Sequence, residues 1–420
     1  MTFINKGIMI SAINKRPENY SFKLSQLLIL FFVFLFAMNF INRYFYCVFI
    51  AFIIFVFAIR KFTITVPFMV LLCLSVSIML FSGEDSSKIT TLIKPFVYPL
   101  CFLMGSSFFN VTNKDTITSR ENKISKIIYV VMFGLLVHYL LNFITNIGSD
   151  ERNTTDFWVG DVLSATGQSA LACIPIAVAC CWLVSNSSKL KKILAVIVIL
   201  FILAYNLILA GRTIIIMSII CLATAIIHVI VNGKGVKKSY VLFTVLFIIL
   251  GAILLINYNA FGLRDAIINS NLYERFFGDW AYAIDEDGRL DKKLMYLRNF
   301  FDNVWGGSHL KKEFGYAHDL YLDTYDYAGI FALIAVVIYM VGSIKRTIKI
   351  ITIKSVGFNF KQLILCVFLI INMEFFIEPI LYGMPWLFAS YCFIDGLLYS
   401  YINFNKRQMV LFKRGQNENS

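Results

Sequence analysis

Twelve apolar runs, each close to the length of a bilayer crossing, constrain this chain more than any other feature. They fall at about 24–42, 44–59, 64–82, 90–109, 126–147, 163–184, 191–210, 212–231, 239–257, 322–343, 361–382 and 384–402. A helix needs roughly 20 mostly apolar residues to cross the hydrocarbon core. In lipid the backbone must satisfy its own hydrogen bonds, which leaves helices or closed barrels. Runs this long and continuous predict an all-α polytopic membrane protein of about 12 transmembrane helices. Composition agrees, with 59% hydrophobic and 15% charged residues, against about a quarter charged in soluble domains. The nine cysteines all fall within apolar runs and form no CxxC pattern, so they read as small packing residues. No internal repeat is evident, so the inverted-repeat signature of many transporters is missing.

The net charge of +13 raises nucleic acid as a partner, but its placement excludes that reading. Of the 38 Lys and Arg, 25 lie in segments on one side of the expected bundle, five in short segments on the other, and eight in one long loop. That is the positive-inside pattern, from which long loops are exempt. It predicts a multi-pass protein of the cytoplasmic membrane with both termini cytoplasmic. The expected organisation is a cytoplasmic segment 1–23, helices within 24–257, a long outer loop 258–321, helices within 322–402 and a cytoplasmic tail 403–420. The first apolar run shows no small-residue cleavage site and reads as an uncleaved anchor. The final GQNENS reads as disordered.

The loop is the one long polar segment. Loops of this length are usually functional or disordered. This one is too rich in aromatics and amphipathic pattern for disorder, so we read it as the wall of an active site. Leu294, Leu297, Phe301 and Val304 recur at helical spacing, with Arg289 at the start of that helix and Arg298 on its polar face. Lys292 and Lys293 read as a solvated face.

Arg212, in LILAGRTIIIM, sits at an outer turn between two apolar runs. It either snorkels to the interface or faces a cavity, where its planar fork suits diphosphate oxygens. His318, in YAHDLYLD, is either an interfacial histidine at a helix start or a general base. His309 is its rival, and His138 and His228 read as structural. Glu374 and Glu378, in INMEFFIEPIL, lie one turn apart in the outer half of a span. Intramembrane carboxylates are functional candidates by default. They fit as counter-charges for Arg212 or Arg289, or as partners of sugar hydroxyls. Lys94, in TLIKPFVYPL, is an outer basic site for which snorkelling is an equal reading, and Glu84 and Asp85 read as solvated. No HExxH, P-loop, GxSxG or zinc spacing occurs, so neither metal nor cofactor is expected.

Three motifs carry a resemblance. The first is the small-residue turn Ala210-Gly211-Arg212-Thr213. The second is Gly288-Arg289 opening the loop helix, followed by Trp305-Gly306-Gly307. The third is His318-Asp319, nine residues, then Gly329. In order and spacing they resemble the O-antigen polymerase and O-antigen ligase superfamily of bacterial inner-membrane glycosyltransferases, over roughly residues 20–400. Asp319 departs from the family's usual amide or hydroxyl, and Ala332 from the residue expected three after the glycine.

The resemblance implies a fold like the type C membrane glycosyltransferases. It implies an active-site loop on the periplasmic face and metal-independent, inverting transfer of a glycan held on undecaprenyl diphosphate. His318, Arg212 and Arg289 match the family's catalytic positions. Substrate contacts are expected from Arg212, Arg289, Arg298, Arg275, Lys94, Asp319, Glu374 and Glu378. The segment 273–282 and Tyr316, Tyr321 and Tyr325 are expected to line the glycan path. Polymerase is favoured over ligase by Trp-Gly-Gly before His-Asp-Leu-Tyr-Leu-Asp, and a glycolipid flippase is the rival from another class. The expected partners are the lipid-linked oligosaccharides, the bilayer and a chain-length regulator.

Overall fold

A computed structural model describes residues 23–58, 62–83, 89–110, 116–148, 154–160, 162–185, 187–233, 246, 250–251, 253–277 and 288–417. The expected span at 239–257 and the residues Glu84 and Asp85 fall largely or wholly outside these. The described chain is almost entirely helical, and its one ladder is a two-residue antiparallel pair, β1 (Thr154–Thr155) with β2 (Val162–Leu163). Among the described residues, six helices are long and apolar enough to cross a bilayer. They are α6 (Ile117–Thr145), α7 (Ala165–Val184), α8 (Lys189–Leu209), α9 (Arg212–Asn232), α14 (Leu320–Thr352) and α15 (Phe358–Phe375). Three shorter apolar helices stand beside them: α1 (Leu24–Ala37), α2 (Tyr44–Ala58) and α3 (Val66–Phe81).

The centre is α7. Its most apolar window is 94% buried, against 33% for α8 and α9, and it touches α6, α8, α9 and α15. Cys173, Cys180 and Cys181 lie among its buried residues, and all nine cysteines are unpaired. That fits small packing residues, although Cys73 is exposed.

Lipid is as apolar as leucine, so helices associate in it through close packing and hydrogen bonds. One contact shows how. α5 (Val97–Ser107) crosses the last helix, α17 (Pro385–Asn417), at Gly105 and Gly396. A Cβ on Gly105 would strike the Phe393 carbonyl, and one on Gly396 the Phe102 carbonyl, so only glycine permits this approach. Nearby, Arg346 of α14 meets Asp395 of α17 through two parallel contacts, Nε to Oδ1 at 2.9 Å and Nη2 to Oδ2 at 2.5 Å. Asp395 is fully buried. Arg346 belongs, by sequence, to one of the basic segments on the inner side; in the fold it is the half-buried partner of an ion pair. Arg120 and Lys123 of α6 are likewise buried, Arg120 against the rings of Phe404 and Phe109.

Several expected spans have different ends. The run at 90–109 divides at Pro95 into α4 (Ile89–Ile93), a 3-10 turn and α5. The run at 361–382 stops being helical at Phe375. A turn follows, then the short α16 (Ile380–Gly383), so Glu378 lies in a turn rather than within a span. Pro379 forces this, because it has no N–H to continue a helix. The last helix continues to Asn417, into the tail expected to be disordered.

Candidate functional site

The polar loop packs against one end of the bundle as short helices: α10 (Leu263–Ile268), α11 (Asn271–Phe277), α12 (Arg289–Arg298) and α13 (His309–Phe314). What fixes it is a row of carboxylates on the helix that follows. Asp319, Asp323 and Asp326 are spaced four and three apart, hence on one face of a helix. Asp319 caps α14, accepting from the Tyr321 and Leu322 N–H groups at 2.9 and 3.2 Å. Asp323 accepts from the Ala317 and Asp319 N–H groups, both at 2.9 Å. Asp326 accepts from Leu310 and Lys311 at 2.8 and 3.0 Å, which caps the start of α13. Each carboxylate thus satisfies backbone donors that a helix start or tight loop leaves unpaired.

The second fixture is a break in α14. Gly329 has φ +79°, outside the helical region. The freed backbone pairs with the loop: Ile330 N–H donates to Val304 at 2.9 Å, and Gly307 and Ser308 donate to Tyr327 and Asp326 at 3.2 and 2.8 Å. Gly306 lies so close that a Cβ there would sit 2.6 Å from the Gly329 nitrogen. Trp305-Gly306-Gly307 and Gly329, separate marks in the sequence, are therefore two sides of one backbone clasp. Tyr296 of α12 completes the loop's own small core with Leu310 and Ala317 and donates its hydroxyl to the Gly315 carbonyl at 2.7 Å. Burial, reinforced by the nearby Asp326 and Asp323, pushes the Tyr296 phenol well above its ordinary pKa, so it stays a neutral donor.

These constraints aim His318. Its φ is +55°, a left-handed conformation uncommon for a residue with a Cβ. It is tolerated because Asp323 grips the backbone on both sides. The imidazole Nδ1 lies 3.8 Å from Glu378 Oε2, and Arg289 Nη1 lies 3.6 Å from Glu378 Oε1. Glu378 is 1% exposed. Arg289 opens α12, His318 precedes α14 and Glu378 follows α15, so three segments far apart in sequence meet at one carboxylate. Both contacts exceed hydrogen-bond length. His318 Nδ1, Glu378 Oε1 and both Glu374 oxygens are buried without a hydrogen-bond partner. Glu374, fully buried, has Glu378 and Arg289 as its charged neighbours.

Lys293 departs from the solvated-face reading. Its Nζ lies 3.2 Å from Asp319 Oδ2 and 2.8 Å from the Phe376 carbonyl, tying α12 to both the histidine turn and the glutamate turn.

An aromatic surface adjoins the cluster. Tyr316 packs edge-on to His318 and to Tyr382, with centroids 6.2 and 5.3 Å apart, and Lys311 stands over both tyrosines at 4.6 and 4.1 Å. Tyr382 pairs with Ser308 at 2.6 Å and borders a cleft of about 200 Å³ that also holds Lys94, Tyr98, Tyr327 and Trp386. Lys94 itself is exposed, 5.6 Å above the Phe45 ring.

The other predicted residues divide. Arg212 is the first residue of α9, half-buried, at the same end of the bundle. α9 packs against α15 in the opposite direction, as His228 stacking on Phe358 at the far end shows, so Arg212 and Glu374 share an end. The turn before Arg212 is built by others. Asn206 donates to the Gly211 carbonyl at 2.8 Å, and Arg275 donates to the Ala210 carbonyl at 2.7 Å. Arg275 is 7% exposed, so its guanidinium works on the turn. Arg298 is exposed at the end of α12. Tyr325 is buried in a 4.1 Å stack on Phe300, and Tyr321 lies against Phe376. Of 273–282, only residues up to 277 are described.

Of the two loop histidines, His318 is the one beside Glu378; His309 starts α13. His138 is fully buried and pairs with Asp156 at 2.8 Å, a contact from α6 to the turn between β1 and β2. Sequence reasoning passed over the backbone-binding of Asp323 and Asp326, the pairing of Lys293 and the part played by Tyr382. The four-and-three spacing of the aspartates was the available signal.

No protein-family model and no curated protein sequence matches this chain.

Proposed function

We propose that the chain is a membrane glycosyltransferase acting as an O-antigen, or surface-polysaccharide, polymerase. It would move a growing glycan from undecaprenyl diphosphate to a sugar hydroxyl of a lipid-linked repeat unit on the periplasmic face. The observation that carries the reading is the meeting of Arg289 and His318 at the buried Glu378.

In the proposed reaction the acceptor oxygen attacks the anomeric carbon, the bond from that carbon to the diphosphate oxygen breaks, and the acceptor proton passes to His318. Glu378 faces Nδ1, which favours the tautomer protonated there and leaves Nε2 free to accept the proton. The 3.8 Å separation shortens as substrate fills the site, as catalytic contacts commonly do. Charge develops on the departing diphosphate. Arg289 is held beside it by Glu378, and Arg212 brings a second guanidinium from the same end of the bundle. Tyr316, Tyr382 and the cleft with Lys94 offer ring faces to the sugars. Arg275 and Lys293 position the turns that carry Arg212, His318 and Glu378.

The test is lipopolysaccharide banding in a strain lacking the gene, complemented with wild type, His318→Ala or Arg289→Ala. Core bearing a single repeat unit in the deletion supports a polymerase. Bare core with polymer retained on undecaprenyl diphosphate supports the ligase, whose chemistry is the same. A normal ladder from well-expressed variants would overturn the catalytic assignment.

A further inference from the structure

A large cavity lies at the end of the bundle away from His318, where α6, α8 and α15 begin and α7, α9 and α14 end. Its volume is about 1430 Å³, above the ~300–1,000 Å³ typical of small-molecule sites. Lys126, Lys191, Lys354 and Lys361 line it, and Glu121 is the one carboxylate among the described lining residues. That carboxylate is engaged, accepting the Tyr401 hydroxyl at 2.6 Å and the Gly357 N–H at 3.1 Å.

Snorkelling accounts for lysines near a bilayer surface, but three features exceed it. First, the cavity runs inward to Cys181 and Leu363, both buried inside transmembrane helices. Second, Lys191 is steered over the wall, 5.1 Å from the Tyr129 ring and 5.8 Å from that of Trp182. Third, His228 lines the cavity, is 5% exposed and leaves Nδ1 buried without a partner. Its ring is held flat on Phe358 at 4.8 Å, so the unpaired nitrogen has a fixed direction.

We propose that this cavity is a second ligand site, separate from the loop site, and that it binds a phosphate group. Lysines bind phosphate as point charges, and basic pockets between transmembrane helices suit anionic headgroups. The seryl and asparaginyl rim, with Ser188 and Asn232, fits the hydroxyls and ester oxygens around such a group. The apolar floor fits the start of an acyl chain. The shared chemistry is a phosphate, from an anionic phospholipid headgroup or from the free ion.

The test uses the full-length protein in phosphatidylcholine nanodiscs at ionic strength held constant with chloride, reading the shift in melting temperature. One arm titrates in phosphatidylglycerol, the other inorganic phosphate. Wild type should gain stability in at least one arm, and Lys191→Gln/Lys361→Gln should bind about tenfold more weakly. A gain with phosphatidylglycerol alone identifies the lipid as the source; a gain with phosphate alone identifies the ion. Lys354→Gln changes an exposed side chain and serves as a second variant, expected to weaken binding several-fold, should the double variant melt early without ligand. No shift in either arm, or a shift undiminished in both variants, would overturn the proposal.

Discussion

Two charge clusters in this protein, each centred on a buried carboxylate, are built on opposite plans. Arg346 and Asp395 meet through two parallel contacts of 2.9 and 2.5 Å between α14 and α17, and each satisfies the other. Arg289, His318 and Glu378 stand 3.6 and 3.8 Å apart, with Glu378 Oε1, His318 Nδ1 and both Glu374 oxygens unpaired. Burying a charge is tolerable when it is paired and hydrogen-bonded. The first cluster meets that condition by itself. The second is underbonded, and the clasp at Gly329 and the three aspartates of α14 hold it so. The first thus reads as a staple and the second as a site held ready for a ligand.

This contrast can be broken by separating activity from stability. The largest effect should come from His318→Ala, which is expected to cut transfer by about 10²–10⁴-fold, the usual worth of a general base, with little change in melting temperature. In vitro transfer from a lipid diphosphate donor, beside a thermal melt, measures both. Arg289→Ala should follow, with a loss of roughly 10²–10³-fold, as for other groups that stabilise developing charge. Arg289→Lys should recover part of it, because a lysine keeps the charge but not the fork.

Asp395→Asn should do the reverse. Breaking one side of a buried pair costs about 3–5 kcal/mol, so the melt should fall while the folded fraction keeps its transfer rate. If Asp395→Asn leaves the melt unchanged and His318→Ala lowers it, the two clusters have been assigned the wrong way round. Gly396→Val should also lower the melt, since added bulk at a close packing contact costs about 1–3 kcal/mol.

The smallest effect concerns acid. Burial pushes the Asp156 carboxyl up, but the His138 hydrogen bond and charge, with the Trp158 and Val159 N–H donors, outweigh it and hold the group below its ordinary value of 3.8. A carboxylate with a depressed folded pKa contributes stability that is fully present above its unfolded pKa and is lost as pH falls through the folded one. Wild type should therefore lose this contribution only below about pH 4, and Asp156→Asn should flatten that limb of the melt-versus-pH curve.

Much of the architecture was legible in the sequence because a bilayer leaves few choices. Continuous apolar runs must be helical there, and the long apolar helices are present. Arg289 and His318, each in one of the three motifs, both stand beside Glu378. Glu378 was legible as an intramembrane acid, though Pro379 moved it from the span into a turn. Lys293, Arg275 and Arg346 were not legible as paired groups. Their partners, a turn carbonyl or a carboxylate, lie 26, 65 and 49 positions away.

The sequence by itself determined that the chain is helical and membrane-length, and that one polar loop carries its unusual cations and histidines. Hydrophobic run length and local turn chemistry are short-range properties, readable residue by residue. Only the tertiary structure decided which charges are staples and which are left open. That depends on what each charge meets across the bundle, and the meeting is set by helix packing, by the Gly105–Gly396 approach and by the break at Gly329.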